Sequence, residues 1–179
     1  MIDYIALGMV LDKELTGYDI KKEIEAGIGN FFKASYGNLY PALKKLTDKG
    51  HISMTEIMQG NKLKKYYQAT ELGRMEFLEW LSTPPNSIEE TQFTRIYFYG
   101  ELPKEVRNNL LQEFEFLIRQ ALRQLQVIEK QFISEVLNDR EYFEWSTLYQ
   151  GIQSAQNMIR WLAYIREQKP LSEFLIESK

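Results

Sequence analysis

A mainly helical fold carrying a single β-hairpin is predicted for this 179-residue chain. Three observations predict it. Apolar residues recur at spacings of three and four through most of the sequence, one stretch around a Gly-Asn centre is rich in β-branched and apolar residues, and the second half holds two long segments of coiled-coil-like rhythm. The order reads helix, helix, helix, hairpin, helix over residues 1–82, then a linker over 83–88, then helices over 89–179.

Each element has its own signal. Ile2, Ile5, Ala6, Met9 and Val10 form one face of a first amphipathic helix. After a break at Leu15-Thr16-Gly17, Thr16 caps a second helix with Tyr18, Ile20 and Ile24 on its inner face, and Gly27 and Gly29 close it. The third helix spans residues 35–49, with Leu39, Leu43 and Leu46 inward and Gly50 as a left-handed stop. Its other face shows Gly37, Pro41, Lys44, Lys45 and Asp48, flanked by Asn38 and Tyr40. Pro41 leaves two options, a regular helix starting near Asn38 or a kink.

Residues 51–58 and 63–69 read as two strands joined through Gln59-Gly60-Asn61-Lys62, with the loop length open. Tyr66 and Tyr67 then point to opposite faces, one of them into the core. Thr70 caps a fourth helix with Glu71 in its first turn and Leu72, Met75, Leu78 and Trp80 as its apolar positions. The run from Ser82 to Ser87, with Pro84 and Pro85, marks the linker.

Beyond it, an aromatic-rich helix is expected over residues 91–99 and a turn over 100–103. A long helix over 104–137 carries Val106, Leu110, Phe114, Leu117, Ala121, Leu125, Ile128 and Phe132, widened by Leu111, Ile118 and Leu122. A last helix over 142–167 repeats the rhythm with Trp145, Leu148, Ile152, Ala155, Ile159 and Leu162. One chain offers few helices to cover two wide stripes, so a second copy is the simplest partner, with Leu110, Phe114, Leu117, Leu148, Ile152, Ile159 and Leu162 as the dimerisation residues.

Charge is unevenly placed. Residues 33–65 hold seven lysines against Asp48 and Glu56, a formal +5; because the whole chain is at -3, the remainder sums to -8. An acidic body with one basic patch repels a polyanion everywhere else and so orients docking. The absence of cysteine excludes disulfides, thiolate zinc sites and cysteine nucleophiles. His51 is the single histidine, without a second histidine or cysteine to share a metal, so no metal or other cofactor is expected. Glu89 and Glu90 are adjacent and do not face one another on a helix, and neither a phosphate-cradling glycine loop nor a nucleophile elbow is present, so catalysis has no support. No apolar run approaches the ~20 residues of a membrane span, nor does the N-terminus follow a signal-peptide layout, so a cytoplasmic protein is expected.

A helix-turn-helix followed by a hairpin is a DNA-reading layout, since a helix fits the major groove and a hairpin wing reaches the neighbouring groove or backbone. The motifs Thr16-Gly17-Tyr18-Asp19-Ile20, Leu39-Tyr40-Pro41-Ala42-Leu43-Lys44-Lys45-Leu46 with Gly50, and Lys64-Lys65-Tyr66-Tyr67 leading into Thr70 and Gly73 resemble the winged helix-turn-helix domain of the PadR family of transcriptional regulators. They cover the first half of the chain. The second half is similar, in helical pattern and length, to the longer α-helical C-terminal domain of one branch of that family.

The resemblance implies a DNA-binding homodimer joined through its C-terminal helices that represses its target genes and, as in several relatives, is released by a phenolic or other aromatic effector. Ser35, Tyr36, Asn38 and Tyr40 near the start of the third helix are then placed to meet phosphates or base edges. Lys44 and Lys45 extend the positive face, while Asn61, Lys62, Lys64 and Lys65 in the wing neutralise phosphates. Taken singly, each lysine reads equally well as solvated surface, and at least one of Tyr36 and Tyr40 as a partly buried packing residue. Phe93, Tyr97, Trp145, Tyr149 and Trp161 suit stacking on a planar effector, although aromatics at helical spacing also serve as core or interface. A competing reading is a protein-interaction scaffold that uses the winged-helix shell without DNA.

Overall fold

The computed structural model describes residues 1–29, 32–88, 91–131 and 138–177. They separate into two compact units, Met1–Thr83 with Glu89–Pro103 and Pro84–Ile88 with Lys104–Lys179. The expected mainly helical architecture with a hairpin wing is present.

The first unit begins with α1 (Ile2–Met9), β1 (Leu15–Thr16), α2 (Gly17–Ile28) and α3 (Tyr36–Asp48). Thr16 caps α2 reciprocally: its hydroxyl oxygen accepts from the Asp19 N–H at 3.2 Å, and the Asp19 carboxylate accepts from the Thr16 N–H at 3.3 Å. Ile20, Ile24 and Ile28 are buried at intervals of four. Tyr18, expected on that inner face, is 62% exposed, because two residues turn a helix by ~200° and carry Tyr18 to the side opposite Ile20. Gly29 ends α2 with φ -58°, in right-handed geometry, so it is not the left-handed cap its glycine suggested.

Helix α3 runs through Pro41. The missing N–H would have bonded the carbonyl of Gly37, and Gly37 and Pro41 both lie on the exposed face, where water reaches the orphaned acceptor. Leu39, Ala42, Leu43 and Leu46 are buried, and Gly50 takes φ 72° just beyond the C-cap Lys49.

The wing pairs β2 (Ile52–Gln59) with β3 (Lys62–Ala69) in antiparallel register. Gly60 and Asn61 form its two-residue turn, in which Gly60 takes φ 61°. A third strand was not expected: β1 pairs with the other edge of β3, Leu15 opposite Tyr67 and Thr16 opposite Tyr66, giving the order β1-β3-β2. Alternation along β3 buries Tyr67 and leaves Tyr66 on the other face, half-buried.

Helix α4 (Glu71–Ser82) is capped by Thr70, whose hydroxyl oxygen accepts from the Gly73 N–H at 3.1 Å. Its inner face is Gly73, Phe77 and Leu81 rather than the expected Leu72 and Met75, which are 49% and 56% exposed, while Leu78 and Trp80 are half-buried. Close approach decides this, since a Cβ on Gly73 would overlap the His51 carbonyl and only glycine lets the helix pack there. Helix α5 (Thr91–Tyr97) ends two residues before the expected Tyr99 and gives way to a 3-10 turn at Tyr99–Glu101. Phe98 then meets Phe77 edge to face at 5.3 Å. Arg95 is buried with its guanidinium 5.2 Å from the Trp80 ring, and burial lowers its pKa.

In the second unit, α6 (Lys104–Glu129) and α7 (Asp139–Glu167) form a packed pair, followed by α8 (Leu171–Glu177), which was not expected. The pair is antiparallel: Arg166 bonds Glu115 at 2.7 Å, and a Cβ on Gly151 would lie 3.4 Å from Leu125. Asn138 caps α7, which therefore starts three residues before Tyr142. Phe132, the stretch 132–137 and the Glu89-Glu90 pair lie outside the described residues. Among the described residues no helix is long and apolar enough to cross a membrane.

The face assignment of α4 is testable by denaturant unfolding. Phe77→Ala is expected to destabilise the protein by about 3–5 kcal/mol, and Leu72→Ala by less than about 0.5 kcal/mol. Equal losses at the two positions would refute the assignment.

Candidate nucleic-acid interface

Helix α3 presents its first turn and outer face to solvent. Ser35 and Asn38 form a capping box: the Asn38 N–H donates to Ser35 Oγ at 3.3 Å, and the Ser35 N–H donates to Asn38 Oδ1 at 2.8 Å. This leaves the Asn38 side-chain NH2 as a donor, the group that suits phosphate oxygens and purine acceptors. The positive end of the α3 dipole reinforces that preference for anions.

Tyr36 and Tyr40 are 44% and 47% exposed and stack on one another at 5.9 Å, so each is a partly buried packing residue that still shows an edge to solvent. Tyr40 also rests on α2, where a Cβ on Gly17 would lie 2.9 Å from its ring. Lys21 of α2 places its ammonium 5.1 Å from the Tyr36 ring centroid and donates to Glu25, a bond that raises the Lys21 pKa. Sequence reasoning missed Lys21, because nothing in the spacing says that α2 crosses beside Tyr36.

The lysines differ in their partners. Lys44 pairs with Asp48 at 2.6 Å, Lys45 with Asp3 of α1, and Lys65 with Glu56 at 3.4 Å. In the wing register, Lys62 and Lys64 fall on the strand face of Tyr66, whereas Lys65 falls on the opposite face with Tyr67 and stands directly across from Glu56. The four-residue wing cluster read from the sequence thus divides, with Asn61 at the turn. Strand β1 ties the wing to the helices: Thr16 is opposite Tyr66 in the sheet, and the next residue, Gly17, receives Tyr40 of α3.

The aromatic candidates are distributed over both units. Phe93 and Tyr97 lie in the first, where Tyr97 and Phe98 border an open cleft of about 450 Å³ that also carries Asp12, Glu23 and Glu101. Trp145, Tyr149 and Trp161 lie in the second, and Trp145 stacks on Tyr149 at 5.5 Å. Of the dimerisation candidates, Leu110, Phe114, Ile152 and Leu162 are buried by the chain itself, and Leu117, Leu148 and Ile159 are half-buried. Among the described residues no three histidine, aspartate or glutamate side chains cluster as metal ligands do.

Both halves of the chain are similar to known proteins. Residues 6–79 match the model of the transcriptional regulator PadR-like family, and residues 90–168 that of the virulence activator alpha C-term. The negative transcriptional regulator PadR of Bacillus subtilis is 29% identical over 174 residues, covering 92% of this chain and 95% of that protein. Crystal structures of Bacillus subtilis PadR in complex with operator DNA and with p-coumaric acid align at 28% and 26% identity, over 93% of this chain and 97% of each of those chains, with TM-scores of 0.44 and 0.41.

The capping box separates two roles of Asn38. Asn38→Asp keeps the acceptor and is expected to melt at the wild-type temperature or above it, while Asn38→Ala and Ser35→Ala each lose about 1 kcal/mol. A loss in Asn38→Asp equal to that in Asn38→Ala, measured by thermal unfolding, would rule out the box.

Proposed function

Because the chain belongs to the transcriptional regulator PadR-like family through residues 6–79, we propose that it is a homodimeric repressor that holds a roughly palindromic operator with α3 and the wing of each protomer. DNA binding rests with residues 1–82 and self-association with the helices beyond the 83–88 linker. The observation that carries this reading is the junction at Thr16 and Gly17, where the exposed face of α3 meets the root of the wing that carries Lys62 and Lys64. Ser35, Tyr36, Asn38 and Tyr40 meet base edges and adjacent phosphates, and Lys44, Lys45, Asn61, Lys62, Lys64 and Lys65 engage the backbone. The name of the Bacillus subtilis relative, a negative regulator, supports repression as the outcome.

Self-association draws on apolar side chains that the protomer leaves uncovered. In the second unit Val127, Ile128, Tyr142, Phe143 and Tyr149 are all exposed, beside the half-buried Leu117, Leu148 and Ile159. A small aromatic effector that stacks on Phe93, Tyr97, Trp145, Tyr149 or Trp161 releases the protein from DNA, and Tyr97 at the mouth of the 450 Å³ cleft is the most accessible of the first unit's candidates.

Fluorescence anisotropy against the duplex upstream of the protein's own gene tests DNA binding. Lys62→Glu with Lys64→Glu is expected to weaken binding at least about tenfold and to flatten its salt dependence by about one unit per lysine, with a smaller effect from Lys65→Glu. No preference of the wild-type protein for that duplex over a scrambled one would end the regulator reading and favour the interaction scaffold. Sedimentation at micromolar concentration is expected to give a dimer, and a monodisperse monomer would contradict the proposed assembly.

A further inference from the structure

We propose that Asp48 and Glu56 are specificity determinants of the DNA-binding face, carboxylates that hold Lys44 and Lys65 back from phosphates outside a fitted site. This rests on the proposed role of α3 and the wing in binding DNA. Both pairs are solvent-exposed, with side-chain exposures of 76% and 62% for Lys44 and Asp48 and of 54% and 44% for Lys65 and Glu56. Among the described residues Lys33, Lys49, Lys62 and Lys64 take part in no ion pair. The cationic face therefore mixes free and restrained lysines.

Helix stability does not account for Asp48. It is the last residue of α3, where a negative charge opposes the helix dipole, and a lysine four residues before an acid is the weaker order for such a pair. Asp3 provides the contrast. It lies in the first turn of α1, where an acid is favoured, and its bond to Lys45 tethers α3 to α1, so a structural task explains it. Glu56 stands across the hairpin from Lys65 and steadies the wing as well.

Exposed pairs of this kind are weak enough for a phosphate to displace the carboxylate. After displacement the carboxylate stays beside the phosphate and repels it. In a non-specific complex no base contact fixes the docking angle of α3 and the wing, so phosphates come up against Asp48 and Glu56. At the operator, base contacts from the start of α3 hold one angle, in which the lysines meet phosphates and the two carboxylates stand clear of them. The repulsion therefore falls mainly on non-specific complexes, where lysine–phosphate contacts supply nearly all of the affinity.

Asp48→Asn and Glu56→Gln, singly and together, are to be compared with Glu79→Gln, which removes the same charge from an exposed position on α4. Anisotropy is read against the operator duplex and a scrambled duplex of equal length at moderate salt, with circular dichroism confirming the fold. Each of the first two variants is expected to bind the scrambled duplex roughly threefold or more tighter, with a smaller gain at the operator, and Glu79→Gln to change neither. Equal gains for both duplexes, an equal gain from Glu79→Gln, or unchanged binding to the scrambled duplex would overturn the assignment while leaving operator recognition intact. A wild-type protein that prefers neither duplex would overturn the assignment and the proposed function together.

Discussion

The arrangement of α3 and the wing depends on two consecutive residues. Thr16 is the last residue of a two-residue strand and also the cap of α2, so one backbone position fixes the edge of the sheet and the start of a helix. Gly17, immediately after it, has no side chain, and Tyr40 of α3 occupies the space a Cβ would need. Sheet, α2 and α3 are thereby joined at one point, which makes the position of the wing relative to α3 a property of the packed unit rather than of a flexible hairpin.

Charge follows from this placement. The capping box that starts α3 uses the oxygens of Ser35 and Asn38 and leaves their donor hydrogens available, at the helix end whose dipole favours anions. The lysines add long-range attraction for anions, but three of those proposed to contact DNA already carry a carboxylate partner. The surface thus combines paired and unpaired lysines.

Much of this was legible in the sequence because the signals are local. Thr16, Thr70 and Gly50 mark helix ends by chemistry acting within a few residues, and Leu39, Leu43 and Leu46 define a face by periodicity alone. What could not be read depends on distant neighbours. Strand β1 is two residues long and has no periodicity to detect. The inner face of α4 is chosen by the approach of His51 to Gly73, and glycine carries no weight in a hydrophobic pattern, so Leu72 and Met75 stood in its place. The lysine–carboxylate pairs likewise join residues whose adjacency is visible only after α1, α3 and the wing are folded together, apart from the i, i+4 pair of Lys44 and Asp48.

Backbone amide chemical shifts recorded while operator duplex is titrated into isotopically labelled protein address the central claim most directly. Simultaneous, saturable perturbation of residues 35–45 and 61–65, with residues 71–82 little affected, is the result this account predicts. Perturbation concentrated in residues 104–129, with the start of α3 and the wing unmoved, would contradict it.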